Sequence, residues 1–574
     1  MKMIFKYLGA VKRTLIITLV IKTFASLIEL AIPYILSHIL DDVVPSRNVS
    51  SILFWGGAMI FCALSAFIGN VVANRNAARV ARDVTKRTRQ TLFERTMRLS
   101  SHQIDEFTIP SLESRLTSDT FNINNFIVMS LRMGIRAPII LIGGVIITVT
   151  LDPVLTLVML VMLPLIGGTI FIVTKKGVPL FKKNQASLDS MIRVVREDAQ
   201  GIRVIKALSK VDYERRRYDD ANKALIKDEI HASSIMAVSN PLVTLFLNIG
   251  LVSVVVVGAI RVNADLTGPG VIIAFIQYFT IISNAMLGLS RIFVNSTKGI
   301  ASAQRIEEVI NTEPDLLLES EDKYPQKKSK GYISFENVGF SYRKKNEDIS
   351  DISFELERGQ SLGIIGATGS GKSTVLQLLM RLYDVDRGNV RIDGRDVRTI
   401  PHEELNSMFG VVMQNDFIFA GSVRDNIDFG RGLSDEDIRR AVHTAQAAEF
   451  IEAYDDSYDH ALNSKGTNLS GGQRQRLLIS RALAGSPKVL VLDDSSSALD
   501  YKTDSKLRRA IKQDMAGVTT VTVAQRVSSV MHCDLILVLE DGRIIGKGTH
   551  SELLETCEVY KEISDSQVGG AILE

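Results

Sequence analysis

The sequence predicts an all-α domain of six membrane-spanning helices over residues 1–310, a linker at 311–330 and an α/β domain over 331–574 built on a largely parallel sheet. Three observations lead there. Apolar runs in the first half reach the ~20 residues that a helix needs to cross ~30 Å of hydrocarbon. In the second half they shorten to strand length and alternate with amphipathic helical stretches. The bulk composition, 46 % hydrophobic and 23 % charged over 574 residues, is too apolar for a disordered chain and too charged for one wholly embedded in lipid.

The six spans lie near Thr14–Leu40, Ile52–Ala73, Met133–Thr150, Pro153–Val173, Ile235–Ile260 and Val271–Val294. The first is too long for a signal peptide, lacks a small-residue cleavage pattern and is followed by more of its kind. Loop charge orients them. The N-terminal segment (Lys2, Lys6, Lys12, Arg13) and the long connections at 75–122 and 175–234 hold the basic residues, whereas the short turns at 41–51, 150–152 and 261–270 hold only Arg47 and Arg261. Basic loops stay inside, which predicts a multi-pass protein of the cytoplasmic (inner) membrane with both termini cytoplasmic. The two long connections have helical periodicity and few breakers, so they prolong the spanning helices into the cytoplasm and turn back in elbows, near Pro110–Asn122 and Gly201–Val211. Lys22, Glu29, Asn248, Gln277, Asn284, Arg291 and Asn295 fall within or near spans, where polar groups face a cavity, a partner helix or the interface rather than lipid.

The linker, with Pro314, Pro325 and charges of both signs, separates this half from the next. The net charge of +3, from 67 basic and 64 acidic residues, points to no polyanion, and no nucleic-acid partner is expected. Cys62, Cys533 and Cys557 are too dispersed for a disulfide framework or a zinc site, which suits a reducing compartment.

In the second half, the strand Ser361–Ile365 runs into Gly366-Ala367-Thr368-Gly369-Ser370-Gly371-Lys372-Ser373-Thr374 and then the helix Val375–Leu382. Strand, Gly-rich loop, Lys-Ser-Thr and helix in this order make a P-loop. Its backbone N–H groups close on phosphate oxygens, Lys372 meets the outer phosphates and Ser373 can ligate Mg²⁺. The apolar strand Val489–Leu492 ends in Asp493-Asp494, a Walker B arrangement in which Asp493 holds Mg²⁺.

Between them lies Leu469-Ser470-Gly471-Gly472-Gln473-Arg474-Gln475-Arg476, leading into a helix over Leu477–Leu483. This segment resembles the LSGGQ signature of ATP-binding cassette (ABC) proteins. With a P-loop, a Walker B strand and six preceding spans in one polypeptide, nearly the whole chain resembles an ABC exporter half-transporter of the multidrug or lipid type. The resemblance implies an ATP-hydrolysing translocase, with ATP and Mg²⁺ as cofactors and a second half-transporter as partner. Each ATP would lie between one chain's P-loop and the other's signature, so Ser470, Gly471, Gly472 and Gln473 would act in trans. By the same motifs Tyr342, in Phe340-Ser341-Tyr342, resembles the aromatic that stacks on adenine. Gln414 resembles the Q-loop glutamine that reaches Mg²⁺ and senses the membrane domain. Ser497-Ala498-Leu499-Asp500 resembles the D-loop, and the two elbows resemble coupling helices.

The chain departs from the family pattern at three places. Asp494 stands where consensus members have a catalytic glutamate, and its carboxylate is withdrawn by about one C–C bond from a proton that a general base must approach within ~3 Å. Gln525, in Ala524-Gln525-Arg526, replaces the switch histidine; it can donate a hydrogen bond to a γ-phosphate but carries no titratable charge. Asn463-Ser464-Lys465-Gly466 lacks the acidic and arginine residues common before the signature. With the signature itself intact, the expectation is the degenerate-site subunit of a heterodimer. Its own P-loop site is slow or inactive, and its partner carries Asp-Glu, a switch histidine and an altered signature. The expected cargo is an amphipathic small molecule or lipid. An ATP-gated channel or regulatory membrane subunit is the alternative, and the six spans argue against a soluble chromosome or translation ATPase.

Overall fold

The computed structural model describes residues 2–327, 331–414, 416–495 and 498–571. By their contacts the residues form two units, Met1–Met97 with Ile109–Thr312, and Arg98–Thr108 with Glu313–Glu574. The Arg291 side chain and Ser497, both singled out from sequence, lie outside the described residues.

The helices in chain order are α1 (Lys2–Ala10), α2 (Lys12–His38), α3 (Val49–Thr96), α4 (Ser101–Phe107), α5 (Ile109–Ser114), α6 (Thr120–Leu151), α7 (Pro153–Ala207), α8 (Val211–Ala237), α9 (Ser239–Asn263) and α10 (Pro269–Asn311). Among the described residues six stretches are long and apolar enough to cross a membrane. The 48 residues of α3 and the 55 of α7 run for ~70 and ~80 Å at 1.5 Å per residue, well beyond a bilayer core.

Local chemistry sets the ends of these helices. Asp152 caps α7 by accepting from the N–H groups of Val154 and Leu155 (2.9 and 3.2 Å), with Pro153 in the first turn, where its missing N–H costs nothing. On α10 the same task falls to Asp41, which accepts from the Gly270 and Val271 N–H groups at 2.6 and 2.9 Å. The helices approach closely through small residues. A Cβ on Gly144 of α6 would meet Ile282 of α10 at 2.8 Å, and one on Gly258 of α9 would meet Ile272 of α10 at 2.7 Å.

Two sequence expectations need correction. The first elbow lies at Met97–Thr108 rather than Pro110–Asn122. A capping box, in which Ser100 and Gln103 satisfy each other's backbone N–H, starts α4, and Thr108, at φ 63°, turns the chain into α5. Pro110 sits in the first turn of α5, so it begins a helix instead of ending one; a π-helical turn at Arg115–Asp119 then carries the chain into α6. The fifth span is broken at Val238, because Pro241 cannot donate to the preceding turn. The second elbow, Leu208–Lys210, falls within the expected segment.

Among the described residues the second unit holds twelve strands: β1 (Ile333–Phe340), β2 (Ile349–Leu356), β3 (Ser361–Gly366), β4 (Arg387–Ile392), β5 (Arg395–Asp396), β6 (Phe409–Val412), β7 (Gly421–Ser422), β8 (Ala461–Leu462), β9 (Val489–Asp493), β10 (Thr519–Val523), β11 (Leu535–Glu540) and β12 (Arg543–Gly548). The main sheet has the order β12-β11-β3-β10-β9-β6 and is parallel except for β12. An antiparallel sheet, β2-β1-β4-β5, packs beside it. Alternation along β9 sends Val489 and Val491 into the core shared with the antiparallel sheet, and Leu490 and Leu492 into a core shared with helices. Burial of each stabilises by about 1.5–3 kcal/mol. The register pairs Asp493 with Val523 and Gly366 with Leu539. The carboxyl ends of the central strands therefore lie along one edge of the sheet, where open α/β sheets bind ligands. In the same unit α4 is held by Ser100 donating to Asp315 (2.8 Å), Gln103 to the Glu313 carbonyl (2.7 Å) and Tyr383 to Asp105 (2.7 Å).

Candidate nucleotide-binding site

β3 enters the P-loop at Gly366, and the helix Lys372–Leu379 leaves it. This helix begins three residues earlier than the sequence suggested, because Gly371, at φ 94°, serves as its N-cap; it ends before Arg381, which turns left-handed at φ 52°. A Cβ on Gly371 would also meet Ile349 at 2.6 Å, so both conformation and space require glycine there.

Most of the predicted residues converge on one cavity of about 300 Å³. Tyr342, Thr368, Gly369, Gly371, Lys372, Ser373, Thr374, Gln414, Asp493, Asp494 and Gln525 line it, together with Asp348 and Val523, which sequence reasoning did not single out. Gly366, Ala367 and Ser370 belong to the same loop but do not line the cavity, and the Ser370 side chain is buried. Ser470, Gly471, Gly472 and Gln473 are absent from its lining too.

Polar contacts order the cavity. The Ser373 hydroxyl donates to Asp493 Oδ2 at 2.9 Å, bringing together two of the expected Mg²⁺ ligands. Lys372 Nζ donates to the carbonyls of Gly366 (3.0 Å) and Ala367 (2.6 Å). Burial holds the Lys372 ammonium below the ordinary lysine range, opposed by Asp493 and Asp494. It pushes the Asp493 carboxyl up, against the hydrogen bond from Ser373, and raises Asp494, against Arg526 and Lys372. Among the described residues no cluster of three or more His, Cys, Asp or Glu could hold a metal ion. The hydroxyl–carboxylate pair instead offers two hard oxygen donors, a set that fits Mg²⁺ completed by phosphate and water.

Asp494 itself has φ 50°, a left-handed conformation that aspartate tolerates better than most side chains, and its N–H donates to the Val523 carbonyl at 2.9 Å. Tyr342 sits against the P-loop helix. Its hydroxyl donates to Gln377 Oε1 and lies 3.1 Å from the Thr374 hydroxyl, while Phe340 and Tyr383 meet its ring edge-on at 4.8 and 5.2 Å. Gln414, exposed, follows β6 in a turn. Gln525 is exposed as well, and its carbonyl accepts from Gln567 Nε2 at 3.0 Å while Gln567 Oε1 accepts from the Val527 N–H at 2.8 Å. One side chain of the helix Glu558–Ala571 thus brackets the switch segment, a long-range contact that no local motif announces.

The segment expected to be the signature starts another helix, outside the cavity. Ser470 Oγ accepts from the Gln473 N–H (3.2 Å) and Gln473 Oε1 accepts from the Ser470 N–H (2.9 Å), a capping box that starts the helix at Gly471 rather than Leu477. Ser470 and Gly471 are exposed at its N-terminus.

Residues 15–286 match the family model described as ABC transporter transmembrane region, and residues 349–497 the one described as ABC transporter. The chain is 35 % identical over 544 residues to the uncharacterized ABC transporter ATP-binding protein YfiB of Bacillus subtilis (strain 168), with 94 % of each chain covered. It is 32 % identical over 568 residues to the uncharacterized ABC transporter ATP-binding protein Rv1273c of Mycobacterium tuberculosis (strain ATCC 25618 / H37Rv), covering 97 % of this chain and 96 % of the other. A solved structure of a bacterial Atm1-family ABC exporter with ATP bound matches with a TM-score of 0.80 at 22 % identity, over 97 % of this chain and 98 % of that one, which shows a common fold. Six apolar helices followed by a cassette domain, with relatives aligned from end to end, make this chain a member of the ABC transporters, ATP-hydrolysing membrane proteins, in the form that fuses transmembrane region and ATPase in one polypeptide.

Proposed function

We propose that this chain exports an amphipathic small molecule or lipid across the cytoplasmic membrane, with both termini cytoplasmic, as one half of a heterodimer whose P-loop site on this chain is slow. The observation that carries the dimer is the separation of the two anion-binding termini. The P-loop cavity has Lys372, Ser373 and Asp493 at its wall but no signature residue, while Ser470 and Gly471 are exposed where a second chain's nucleotide could meet them. ATP thereby joins the two chains, and hydrolysis releases them. Mg²⁺, when bound, would be held by Ser373 and Asp493, with Gln414 close by, and supplies neutralisation of phosphate charge. Tyr342 offers the cavity an aromatic wall for the base.

Slow chemistry at this site follows from Asp494 and Gln525. The Asp494 carboxylate begins one methylene short of a glutamate, and Gln525 can donate to phosphate but not carry charge. These same substitutions favour a second reading, an ATP-gated channel or regulatory subunit. Reconstitution in inverted vesicles separates the two. Uphill, vanadate-sensitive accumulation is expected of the exporter, and flux running only downhill marks the channel. Strong ATP hydrolysis by the lone chain as a homodimer would overturn the heterodimer assignment.

A further inference from the structure

We propose that the membrane unit holds a binding site for the anionic group (carboxylate, sulfonate or phosphate) of an amphipathic transported molecule, formed by Lys22 of α2 and Arg132 and Arg136 of α6. The proposal rests on the transport reading above and names its substrate class.

Three helices bring polar side chains to one place. On α2, Lys22, Ser26 and Glu29 recur at the i, i+4, i+7 spacing that makes one face, whereas Val20, Phe24 and Leu27, at the same spacing one face round, are exposed apolar side chains. The polar stripe therefore turns away from lipid. Lys22 is 3 % exposed, so its ammonium does not snorkel to an interface. It donates to Asn70 Oδ1 (2.7 Å) and Asn74 Oδ1 (3.3 Å), one turn apart on α3. Arg132 and Arg136 are likewise one turn apart on α6, and both lie within electrostatic reach of Lys22. Arg136 is paired with Glu29 (Nε–Oε2 3.1 Å, Nη2–Oε1 2.5 Å). Arg132 donates from Nη2 to the Asn74 carbonyl at 3.2 Å, and its Nε is buried without an acceptor.

Three cations thus share one carboxylate, an excess of two positive charges. Among the described residues no acidic side chain pairs with Lys22 or Arg132, whose acceptors are all neutral amide oxygens. Joining helices does not require this, since an amide would donate to Asn74 equally well without burying a charge. A charge buried in the protein without a counter-charge calls for an anion from outside the chain. Arg132 Nε, buried without an acceptor, and the third Nζ proton of Lys22 are among the donors left to meet it. Arg132 and Arg136 were missed from sequence because they flank the start of a predicted span and read as its cytoplasmic border.

The test is equilibrium binding of 11-(dansylamino)undecanoate, a fluorescent carboxylate amphiphile, to the full-length transporter in phosphatidylcholine nanodiscs. A probe of equal length ending in an amine is the control. Arg132→Gln and Lys22→Met are each expected to weaken the carboxylate probe tenfold or more and leave the amine probe unchanged. Arg132→Lys should retain binding, and Glu29→Gln should tighten it, a direction that loss of packing would not produce. Equal binding of both probes, or a change under twofold in folded Arg132→Gln, overturns the proposal. Displacement of the probe by phosphatidylglycerol also overturns it, by assigning the anion to bilayer lipid. Probe binding that behaves as expected without uphill transport in vesicles would remove the export reading and leave the anion site standing.

Discussion

Asp494 concentrates the chemical question of this chain in one side chain. Its left-handed backbone, at φ 50°, suits aspartate, and its N–H is tied to Val523, so a longer side chain at the same Cα extends further into the cavity. General-base catalysis contributes roughly 10²–10⁴-fold. Asp494→Glu is therefore expected to raise ATP turnover at this chain's own site by about tenfold or more, read as single-turnover hydrolysis in a complex whose other site is disabled. Asp493 poses the opposite problem. It is 3 % exposed, and burial raises its carboxyl above the ordinary value. The folded state then binds this proton more tightly than the unfolded chain does. Its contribution to stability is most favourable below the ordinary carboxylate pKa and is lost as pH rises through the raised one. Asp493→Asn should flatten that loss in a series of melting temperatures from pH 3 to 7 and abolish the residual Mg²⁺-dependent hydrolysis at this chain's own site, read as single turnover in a complex whose other site is disabled. A functional charge held against its own solvation is the usual conflict between activity and stability.

Short elements are where local signals and tertiary contacts part company. The P-loop and the Walker B strand were legible because each depends on residues adjacent in the chain: Gly371 must be glycine to reach φ 94° beside Ile349, and the apolar run of β9 must be buried on both faces. The first elbow was misplaced because Pro110 reads as a breaker from one side and a helix starter from the other, and only the Ser100–Gln103 capping box upstream decides. Loss of such a cap costs about 1 kcal/mol. Ser100→Ala should accordingly increase amide exchange in α4 while leaving β3 and β9 protected. The contact between Gln567 and the switch segment was not legible at all, since 42 residues separate Gln567 from Gln525. Its two bonds can be divided. Gln567→Glu keeps an acceptor for the Val527 N–H and loses the donor to the Gln525 carbonyl, whereas Gln567→Ala loses both. At roughly 0.5–1.5 kcal/mol net per hydrogen bond, exchange at Val527 should quicken with alanine and stay near wild type with glutamate. Equal quickening in both would mean that the helix acts through packing alone.

The complete transporter should be asymmetric if this chain is the slow half of a heterodimer, and the two anion-binding termini of its cassette allow that to be measured. Lys372 and the P-loop line the cavity on this chain, whereas Ser470 and Gly471 are exposed and outside that cavity, where the proposed dimer would bring them to the nucleotide of the other chain. Removing one preorganised donor from a developing oxyanion costs about 10²–10³ in rate. Ser470→Arg, which blocks the N-terminus of the signature helix with bulk, is expected to lower ATP turnover of the purified complex by about 10²-fold, because it strikes the competent site. Lys372→Ala strikes a site already slow, so it should lower steady-state turnover by less than about fivefold while removing one bound nucleotide per complex. In a symmetric homodimer every site contains one P-loop and one signature of this same sequence, so each lesion strikes every site and both must be severe. The ratio of the two losses therefore reports the composition of the assembly whatever its cargo. A ratio near one would return Asp494 and Gln525 to the status of tolerated variants in an ordinary, fully active pair of sites.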